Sequence, residues 1–332
     1  MQTMKIGKSN VIAPRLTLGT FGMGGGTSWQ DTTKDDKELI DFIKAAHEEL
    51  GICALDTAPV YGCGRSERIV GEAIRGKREE YYVSTKCTLH WRNEDGKFEY
   101  TRDNISVYLN FTKDSLLQDI KDSLTRIGTE YIDTMIIHRC PPLEQIEEVM
   151  DAMHEAQSQG LIRAVGLSNS GLVPYTEKAI DTFQKFGGLD LLQESASLLS
   201  RKKMQIYLKK CEQYGITFQT YSALEKGALS GRIIEEVTGW AGDNRSKYKW
   251  FQPDGIPKVN ALTRGLEPLA EKYNCTIPVL CLAWVLAQSE CVNLLVGARH
   301  MSSIRDTVTA LDVKLDAADV AKMNRLSDIA NE

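Results

Sequence analysis

Short runs of β-branched and aromatic residues alternate along this chain with amphipathic stretches of helical length. Eight of the runs are predicted as strands, at residues 15–22, 53–58, 81–86, 131–138, 164–169, 189–194, 217–223 and 293–298. Strands that are each followed by a helix lie parallel, and eight of them favour a closed barrel over an open sheet. The pattern therefore predicts an α/β fold, a (β/α)8 barrel that takes up residues 1–332 as a single domain.

Two further features complete the prediction of a TIM-type barrel. The N-terminal segment MQTMKIGKSNVI has the pattern of a short β-hairpin that turns near residues 7–10 and plugs the bottom of the barrel. Two long connections, at residues 87–111 and 224–257, follow strands and should emerge at the C-terminal face. The first carries Trp91, and the second carries Trp240 and Trp250. Their rings either line a substrate pocket, which we favour for the second connection, or pack within their own loops.

The charge balance and the distribution of cysteines limit the classes of partner. The chain has 40 Lys and Arg against 45 Asp and Glu, a net charge of −5, which argues against binding to a nucleic-acid backbone. No segment reaches the roughly 18 consecutive apolar residues of a membrane span, and the N-terminal segment has no apolar signal core. The 8 cysteines are scattered without a C-x-x-C pair, which favours free thiols over disulfides and gives no metal site. We therefore expect a cytoplasmic protein that acts on a small molecule.

Polar side chains stand at the C-terminal ends of several predicted strands, inside segments otherwise made of core residues. They are Asp56, Lys86, His138, Asn169, Gln193 and Tyr221. Each residue alone has a structural explanation, since an Asp after a strand commonly caps a helix and a lone Lys is commonly exposed. A buried polar group without a partner costs about 1–3 kcal/mol, however, and these strand ends meet at one face of a barrel. Together they predict an active site at that face.

Other catalytic signatures are missing from the sequence. The glycines of GTFGMGGG, near the first strand, do not fit the dinucleotide fingerprint G-x-G-x-x-G, and the acidic partner of that motif is also missing. The chain contains neither the phosphate-binding pattern G-x-x-x-x-G-K-[ST] nor the nucleophile elbow G-x-S-x-G. Kinase and hydrolase functions therefore lose most of their support.

Several segments together resemble one known family. LDTAPVYGCGRSE, STKC, YIDTMIIH, VGLSN, LLQESASLLSR and TYSALEKGALSGR are similar to motifs of the aldo-keto reductase superfamily. Within it they resemble the bacterial branch of sugar- and inositol-related reductases. The resemblance covers essentially the whole chain, and order, spacing and strand context all agree. It implies a carbonyl reductase or alcohol dehydrogenase that uses a nicotinamide cofactor.

The resemblance implies a catalytic tetrad of Asp56, Tyr61, Lys86 and His138. Tyr61 would be the general acid for the carbonyl oxygen, although a free tyrosine has a pKa near about 10. A cation at about 4 Å favours the phenolate by at most about 4 kcal/mol at an effective dielectric of about 20, so Lys86 is expected to lower the pKa of Tyr61. Asp56 would hold Lys86 in place, and His138 would orient the carbonyl group.

The resemblance also implies the cofactor site. Ser168, Asn169 and Gln193 would hold the nicotinamide amide, and the ring of Tyr221 would stack on the nicotinamide. The remaining cofactor contacts carried over from the family are Thr20, Phe21, Asp56, Ser222, Leu224, Gly227, Leu229, Gly297, Arg299, Ser303 and Asp306.

The adenosine end leaves the choice between NADP and NAD open. Many relatives carry Gln or Arg where this chain has Ser303, and Asn where it has Thr307. The 2′-phosphate of NADP needs a cation, and Arg299 and Arg305 are the nearby candidates. NADP is favoured, with NAD as the alternative.

The leading hypothesis is an NADP(H)-dependent oxidoreductase that interconverts an aldehyde or ketone with its alcohol. A sugar or sugar derivative would stack on Trp240 or Trp250, although aromatic aldehydes would suit these rings equally. The expected substrate-binding residues are Phe21, Tyr61, Trp91, His138, Trp240 and Trp250. The alternative is a redox-sensing regulatory subunit that binds cofactor and turns over slowly, because such members of the superfamily keep the tetrad. We expect no extended regulatory segment before MKIGKSN, which disfavours that alternative.

Overall fold

A closed barrel of eight parallel strands forms the centre of the computed structural model, which describes residues 1–25, 35–168, 171, 173–235, 245 and 248–332. Its strands are β3 (Leu16–Gly19), β4 (Ala54–Asp56), β5 (Tyr82–Cys87), β9 (Ile132–Ile137), β10 (Ile162–Ser168), β11 (Leu191–Ser195), β12 (Thr217–Tyr221) and β13 (Val292–Gly297). They follow one another around the barrel in this order, and β13 pairs with β3 to close it. The predicted (β/α)8 barrel and its eight strands are therefore confirmed.

Helices lie between and after the barrel strands. They are α1 (Asp36–Leu50), α2 (Arg65–Ile74), α3 (Lys113–Ile127), α4 (Ile146–Ser158), α5 (Val173–Phe183), α6 (Arg201–Tyr214), α7 (Ile256–Lys272), α8 (Ile277–Leu286), α9 (Met301–Val308) and α10 (Ala317–Asn331). Local signals in the sequence set several of their ends. Asp316, for example, caps α10 by accepting a hydrogen bond from the backbone N–H of Asp319.

The N-terminal segment forms the predicted hairpin from β1 (Thr3–Lys5) and β2 (Ile12–Pro14). Ile6, Val11 and Ala13 pack into one buried cluster with side chains that start the barrel strands, including Ala54 and Leu191. The hairpin thus closes the barrel at the end opposite the strand ends that carry the predicted site.

The first long connection is a small sheet rather than a loop, which corrects the prediction. It contains β6 (Leu89–His90), β7 (Lys97–Arg102) and β8 (Ile105–Leu109), paired antiparallel in the order β6-β8-β7. Asp103 and Asn104 have φ values of +50° and +61°, as a tight hairpin turn between β7 and β8 requires. We call these three strands the insert sheet.

Three further observations concern membrane-spanning helices, cysteine thiols and metal-binding groups. No helix in the described ranges is both long and apolar enough to cross a membrane. All 8 cysteines are free thiols. Within the same ranges, no group of His, Cys, Asp and Glu side chains is arranged to hold a metal ion.

Candidate active site

The polar residues at the strand ends come together at one mouth of the barrel. Asp56 ends β4, Lys86 is the penultimate residue of β5, and His138 directly follows β9. Gln193 lies in β11, and Tyr221 ends β12. Because all of these strands run parallel, the barrel delivers their ends to the same face. Asn169 lies outside the described residues, so its predicted position has no structural counterpart here.

A buried ion pair stands at the centre of this mouth. The Lys86 ammonium donates to Asp56 Oδ2 at 2.7 Å and to the carbonyl oxygen of Thr57 at 2.7 Å. The other carboxylate oxygen, Oδ1, accepts hydrogen bonds from Ser84 Oγ at 3.0 Å and from Gln193 Nε2 at 2.8 Å. The Lys86 and Asp56 side chains are only 1% and 3% exposed. A buried ion pair persists only when its remaining hydrogen-bonding capacity is met, and these contacts meet it.

Tyr61 lies above the ion pair and is held by a close approach of two backbone segments. The Lys86 ammonium is 4.8 Å from the centroid of the Tyr61 ring. The rings of Phe21 and His138 pack edge-on against Tyr61, at centroid distances of 4.9 Å and 6.2 Å. Gly24 lies so close to Gly62 and Tyr61 that a Cβ on either glycine would overlap backbone atoms of the other segment. The glycine-rich segment after the first barrel strand therefore serves to seat Tyr61.

Three buried hydroxyl groups tie the strand ends to helix α2. Ser66 Oγ lies 2.6 Å from Thr20 Oγ1 and 2.8 Å from Thr57 Oγ1. Thr20 Oγ1 also donates to the carbonyl oxygen of Asp56 at 2.9 Å. Thr20 is fully buried, and its hydroxyl braces the backbone of Asp56; its predicted place in the nicotinamide pocket stays a prediction.

The electrostatics of the mouth keep Tyr61 protonated. Burial raises the pKa of Tyr61 above its usual value, and Asp56 adds to this rise, while the charge of Lys86 opposes it. Lys86 thus acts in the expected direction, but burial and the neighbouring carboxylate outweigh it, so the pKa of Tyr61 is raised overall. Burial also opposes the charge on Lys86, but Asp56 and Tyr61 together raise the pKa of that ammonium. The resulting arrangement is a neutral phenol beside a charged ammonium.

His138 is a neutral imidazole in this environment. Burial, followed by the nearby charges of Lys86 and Arg139, holds the pKa of His138 well below its usual value. A neutral imidazole can donate one hydrogen bond through its N–H without adding a charge to the site. Arg139, which our sequence analysis missed, forms an ion pair with Glu99 of the insert sheet at 3.0 Å. Its only sequence signal was a charge directly after His138.

The Gln193 side chain forms its hydrogen bonds inside the barrel. Its amide nitrogen donates to Asp56 and, at 2.6 Å, to Gln219 Oε1, and its oxygen accepts from Ser168 Oγ at 3.1 Å. Gln193 is 2% exposed and Ser168 is fully buried. Both N–H groups of the Gln193 amide are thus engaged by the barrel, and its role in holding a nicotinamide amide stays a prediction.

The loop after β12 has an unusual backbone. Ser222, Glu225 and Lys226 have φ values of +55°, +46° and +56°, and Gly227 has +104°. The carboxylate of Glu225 anchors the loop by accepting a hydrogen bond from Ser197 Oγ at 2.6 Å. Leu224 is half-buried, whereas the Leu229 side chain is fully buried in the core. Of the two predicted leucines, only Leu224 therefore presents side-chain surface near the mouth.

Between Tyr221 and α9 lie two glycines, Gly227 and Gly297, that have free space beside them. The ring of Tyr221 is half-buried, and a Cβ on Gly227 or Gly297 would meet no atom within 4 Å. The side chain of Arg299 packs over Gly22, where a Cβ would lie 3.5 Å from its Cδ. An aromatic face, two positions with free space and a guanidinium are a set of groups that fits an elongated, anionic dinucleotide.

At α9 the predicted adenosine contacts are partly engaged with other residues. Ser303 is exposed, and Asp306 accepts a hydrogen bond from Thr276 Oγ1 at 2.7 Å. Arg305 forms an ion pair with Glu49 of α1, so its charge is already countered. Of the two cation candidates, Arg299 is the one that lies toward the mouth of the barrel.

The predicted aromatic lining is only partly at the mouth. Phe21 is 41% exposed beside Tyr61. Trp91 packs with Tyr61 against the small cluster that joins the insert sheet to the mouth. Trp250 is 5% exposed and belongs to the main hydrophobic core, so the expectation that it stacks on substrate is corrected. Trp240 lies outside the described residues.

Comparisons with known proteins agree on one family. Residues 15–328 match the model of the aldo/keto reductase family. The chain is 35% identical over 332 residues to the NADH-specific methylglyoxal reductase of Escherichia coli (strain K12), covering 99% of both chains. It is 31% identical over 329 residues to aldo-keto reductase YhdN of Bacillus subtilis (strain 168), covering 98% of this chain and 93% of that protein. The glycerol dehydrogenase AKR11B4 from Gluconobacter oxydans superposes with a TM-score of 0.82 at 30% identity, covering 98% of this chain and 94% of that one.

Proposed function

Because the chain belongs to the aldo/keto reductase family and is thus an oxidoreductase acting on carbonyl compounds and alcohols, we propose that it reduces small oxygen-rich aldehydes and ketones with Tyr61 as proton donor. One observation carries this proposal: a neutral phenol lies between the Lys86 ammonium and the ring of His138 at the mouth of the barrel. These groups match what acid-assisted reduction of a carbonyl requires.

Tyr61 gives its proton to the carbonyl oxygen as that oxygen becomes an alkoxide. The phenolate left behind is stabilised by Lys86, whose ammonium is 4.8 Å from the ring. The ammonium also hydrogen-bonds the phenol oxygen, where the charge develops. At a separation of about 4 Å and an effective dielectric of about 20, the attraction is worth about 4 kcal/mol. Asp56 keeps the ammonium in position and charged, and it therefore acts through Lys86 rather than on the substrate.

His138 orients the substrate. Its imidazole is neutral, so it donates a hydrogen bond to the carbonyl oxygen without competing with Tyr61 for the proton. Phe21 and Trp91 bound the space around Tyr61 and help to keep water away from it.

The residues that would hold the cofactor lie along the path from Tyr221 to Arg299. A nicotinamide dinucleotide supplies the hydride when it is bound. Tyr221 would offer its ring face to the nicotinamide, and the polar side chains of Ser168 and Asn169 would hold its amide, as the sequence predicts. The loop at Ser222–Leu229, which Glu225 anchors, would cover the pyrophosphate. Gln193 would contribute its amide oxygen as an acceptor, because its two N–H groups serve Asp56 and Gln219.

We further propose that NADPH is preferred over NADH by a modest factor. Arg299 is the cation that would meet a 2′-phosphate, because its side chain packs over Gly22, just after the first barrel strand. Arg305 lies farther along α9, in an ion pair with Glu49. A single charge-assisted contact is worth about 1.5–3 kcal/mol, which is a preference of roughly ten- to a hundredfold. Replacing Arg299 by Ala should remove most of this preference, and Arg305→Ala is the matched control that should leave it unchanged. Equal preferences in the wild type and in Arg299→Ala would contradict the assignment.

The proposed substrate class rests on the names of two relatives and on the position of Trp250. The names of two relatives refer to methylglyoxal and glycerol, which are three-carbon compounds with oxygen on adjacent carbons. Trp250, one of the two rings expected to stack on a sugar, lies in the core, and Trp240 is outside the described residues. We therefore propose short hydroxylated or dicarbonyl substrates in place of large aromatic ones.

Tyr61→Phe tests the function. We expect this variant to bind NADPH as the wild type does, measured by nucleotide fluorescence, and to lose nearly all NADPH consumption with methylglyoxal or dihydroxyacetone. Tyr214→Phe is the control, because it removes one phenol that bonds to Asp181 on the outer helices. Undiminished turnover in Tyr61→Phe would refute the proton-donor role. Tight binding by the wild type with no turnover on any aldehyde, ketone or sugar would favour a cofactor-sensing subunit instead.

A further inference from the structure

A row of buried amides crosses the barrel beneath the active site. Gln193, Gln219 and Asn293 occupy paired positions on the adjacent strands β11, β12 and β13. Gln193 is 2% exposed, and the other two are fully buried. We call these three residues the amide row. Polar side chains in the middle of barrel strands are costly unless they are hydrogen-bonded, so their presence calls for a physical reason.

The hydrogen bonds of the amide row all run in one direction. Gln193 Nε2 donates to Gln219 Oε1 at 2.6 Å, and Gln219 Nε2 donates to Asn293 Oδ1 at 2.9 Å. Asn293 Nδ2 in turn donates to the carbonyl oxygen of Pro14 at 2.8 Å. A carbonyl oxygen can only accept, so Pro14 fixes which way Asn293 faces, and each amide then fixes the next.

The other end of the amide row meets the catalytic ion pair. Gln193 Nε2 has two N–H groups, of which one reaches Gln219 and the other reaches Asp56 Oδ1 at 2.8 Å. If Gln219 were not an acceptor, the Gln193 amide could rotate away or turn its oxygen toward Asp56. An oxygen facing a carboxylate would repel it and disturb its contact with Lys86.

We propose that Gln219 is a positioning residue of the reductase, which acts through Gln193 to hold the Asp56 carboxylate against Lys86. This inference rests on the proposed function. Gln219 lies below the mouth and touches neither the substrate space nor Tyr61. By accepting one N–H group of Gln193, Gln219 keeps the other N–H group directed at Asp56 during turnover. Ser168 assists by donating to the oxygen of Gln193 at 3.1 Å, which favours the same orientation of the amide.

Gln219→Met is the direct test, because Met has a similar length and no group that accepts this hydrogen bond. We expect kcat to fall about tenfold, the effect of losing one oriented hydrogen bond to a charged group, with the Kd for NADPH unchanged. Gln219→Glu should restore most of the activity, since a buried carboxyl group is protonated and offers both an acceptor and a donor. A fall in kcat that the Glu variant does not reverse would contradict the proposal.

Ser327→Ala is the matched structural control. Thr17 would not serve, because it accepts a hydrogen bond from Gln219 Nε2 at 3.3 Å and so belongs to the same network. Ser327 is fully buried in α10 and donates to the carbonyl oxygen of Leu198 at 2.5 Å, away from the amide row. Ser327→Ala should lose stability to urea while keeping its kcat. If Ser327→Ala lost as much kcat as Gln219→Met, the amide row would be a packing feature only, and the proposal would fail.

A double-mutant cycle separates this inference from the proposed function. We expect Gln219→Met to lower kcat in the wild-type background and to have little further effect in Asp56→Asn. The same cycle, measured by urea unfolding of the cofactor-free protein, should show coupling of Gln219 with Asp56 and none of Ser327 with Asp56. The unfolding cycle needs no turnover, so an inactive protein would refute the proposed function while this coupling is still measured. Additive effects in both cycles would overturn the inference. Should Gln219→Met not fold, the shorter amide of Gln219→Asn takes its place with the same expected outcomes.

Discussion

Replacing Gly62 by alanine is expected to disable the enzyme while leaving its fold in place. Gly62 has a φ of +65°, and a Cβ there would overlap the carbonyl group of Gly24. Gly24 has an ordinary helical φ of −64°, but its Cβ would lie 2.5 Å from the carbonyl carbon of Tyr61. The two glycines thus form a close contact of two backbones, and Tyr61 is attached directly to it.

The magnitude follows from two separate costs. Adopting a left-handed φ costs a residue with a Cβ about 1–2 kcal/mol. Relieving the overlap adds about 1–3 kcal/mol, as overpacking elsewhere does. Gly62→Ala should therefore lose about 2–5 kcal/mol of unfolding free energy. Gly24→Ala carries only the overlap, and the reduced entropy of its unfolded chain offsets about 0.4–1 kcal/mol of that cost.

Activity should fall more steeply than stability in both variants. Moving the two segments apart displaces Tyr61 from Lys86 and from the substrate carbonyl. A misplacement of about 1 Å can cost a factor of about 100 in rate. Cofactor affinity should fall less than turnover, because Tyr221 belongs to another strand end, although Arg299 packs over Gly22 of the displaced segment. The assays are NADPH consumption with methylglyoxal, nucleotide fluorescence and urea unfolding.

Gly128→Ala isolates the backbone cost. Gly128 ends α3 with a φ of +72°, and a Cβ there would meet no atom within 4 Å. It should lose about 1–2 kcal/mol of stability and keep full activity. If Gly62→Ala matched Gly128→Ala in both stability and turnover, the overlap with Gly24 would have no consequence, and the reasoning about Tyr61 would be refuted.

The remaining predictions concern charged groups. Lys86→Met leaves the Asp56 carboxylate buried without its partner. We therefore expect the free energy of unfolding in urea to fall by about 3–5 kcal/mol and nearly all turnover to be lost. A stability equal to that of the wild type would contradict this. Burial, against the opposing effect of Arg92, raises the pKa of Asp119 to about 6. A raised carboxyl pKa means that the folded state holds its proton to higher pH than the unfolded state, so stability is lost as pH rises from about 4 to about 6. Relative to Asp119→Asn, the wild type should lose up to about 3 kcal/mol between pH 4 and pH 7 in urea unfolding, and a pH-independent difference would contradict this. Arg299→Ala should lower the ratio of kcat/KM with NADPH to kcat/KM with NADH by about tenfold. An unchanged ratio would mean that Arg299 does not contact the 2′-phosphate.

Local patterns in the sequence were enough to predict the barrel. Apolar periodicity distinguishes strands from helices, and parallel strands must deliver their ends to one face. Asp56, Lys86 and His138 could therefore be placed at one mouth before any contact was known. The insert sheet was missed, although its alternating residues and the turn at Asp103 and Asn104 were a hairpin signal, because the segment was interpreted by its length alone.

The direction in which a side chain faces was decided only by the tertiary structure. Gln193 meets Asp56 across 137 positions of sequence, and Thr20 meets Ser66 across 46, so no local pattern contains either contact. Trp250 lies in a long connection, yet it packs into the main core. A polar or aromatic residue near an active site binds ligand, braces the backbone or fills the core according to its nearest partner in space. The sequence by itself determined which residues reach the mouth of the barrel, and only the closure of the barrel determined what each of them is free to bind, because closure brings distant strands into hydrogen-bonding distance.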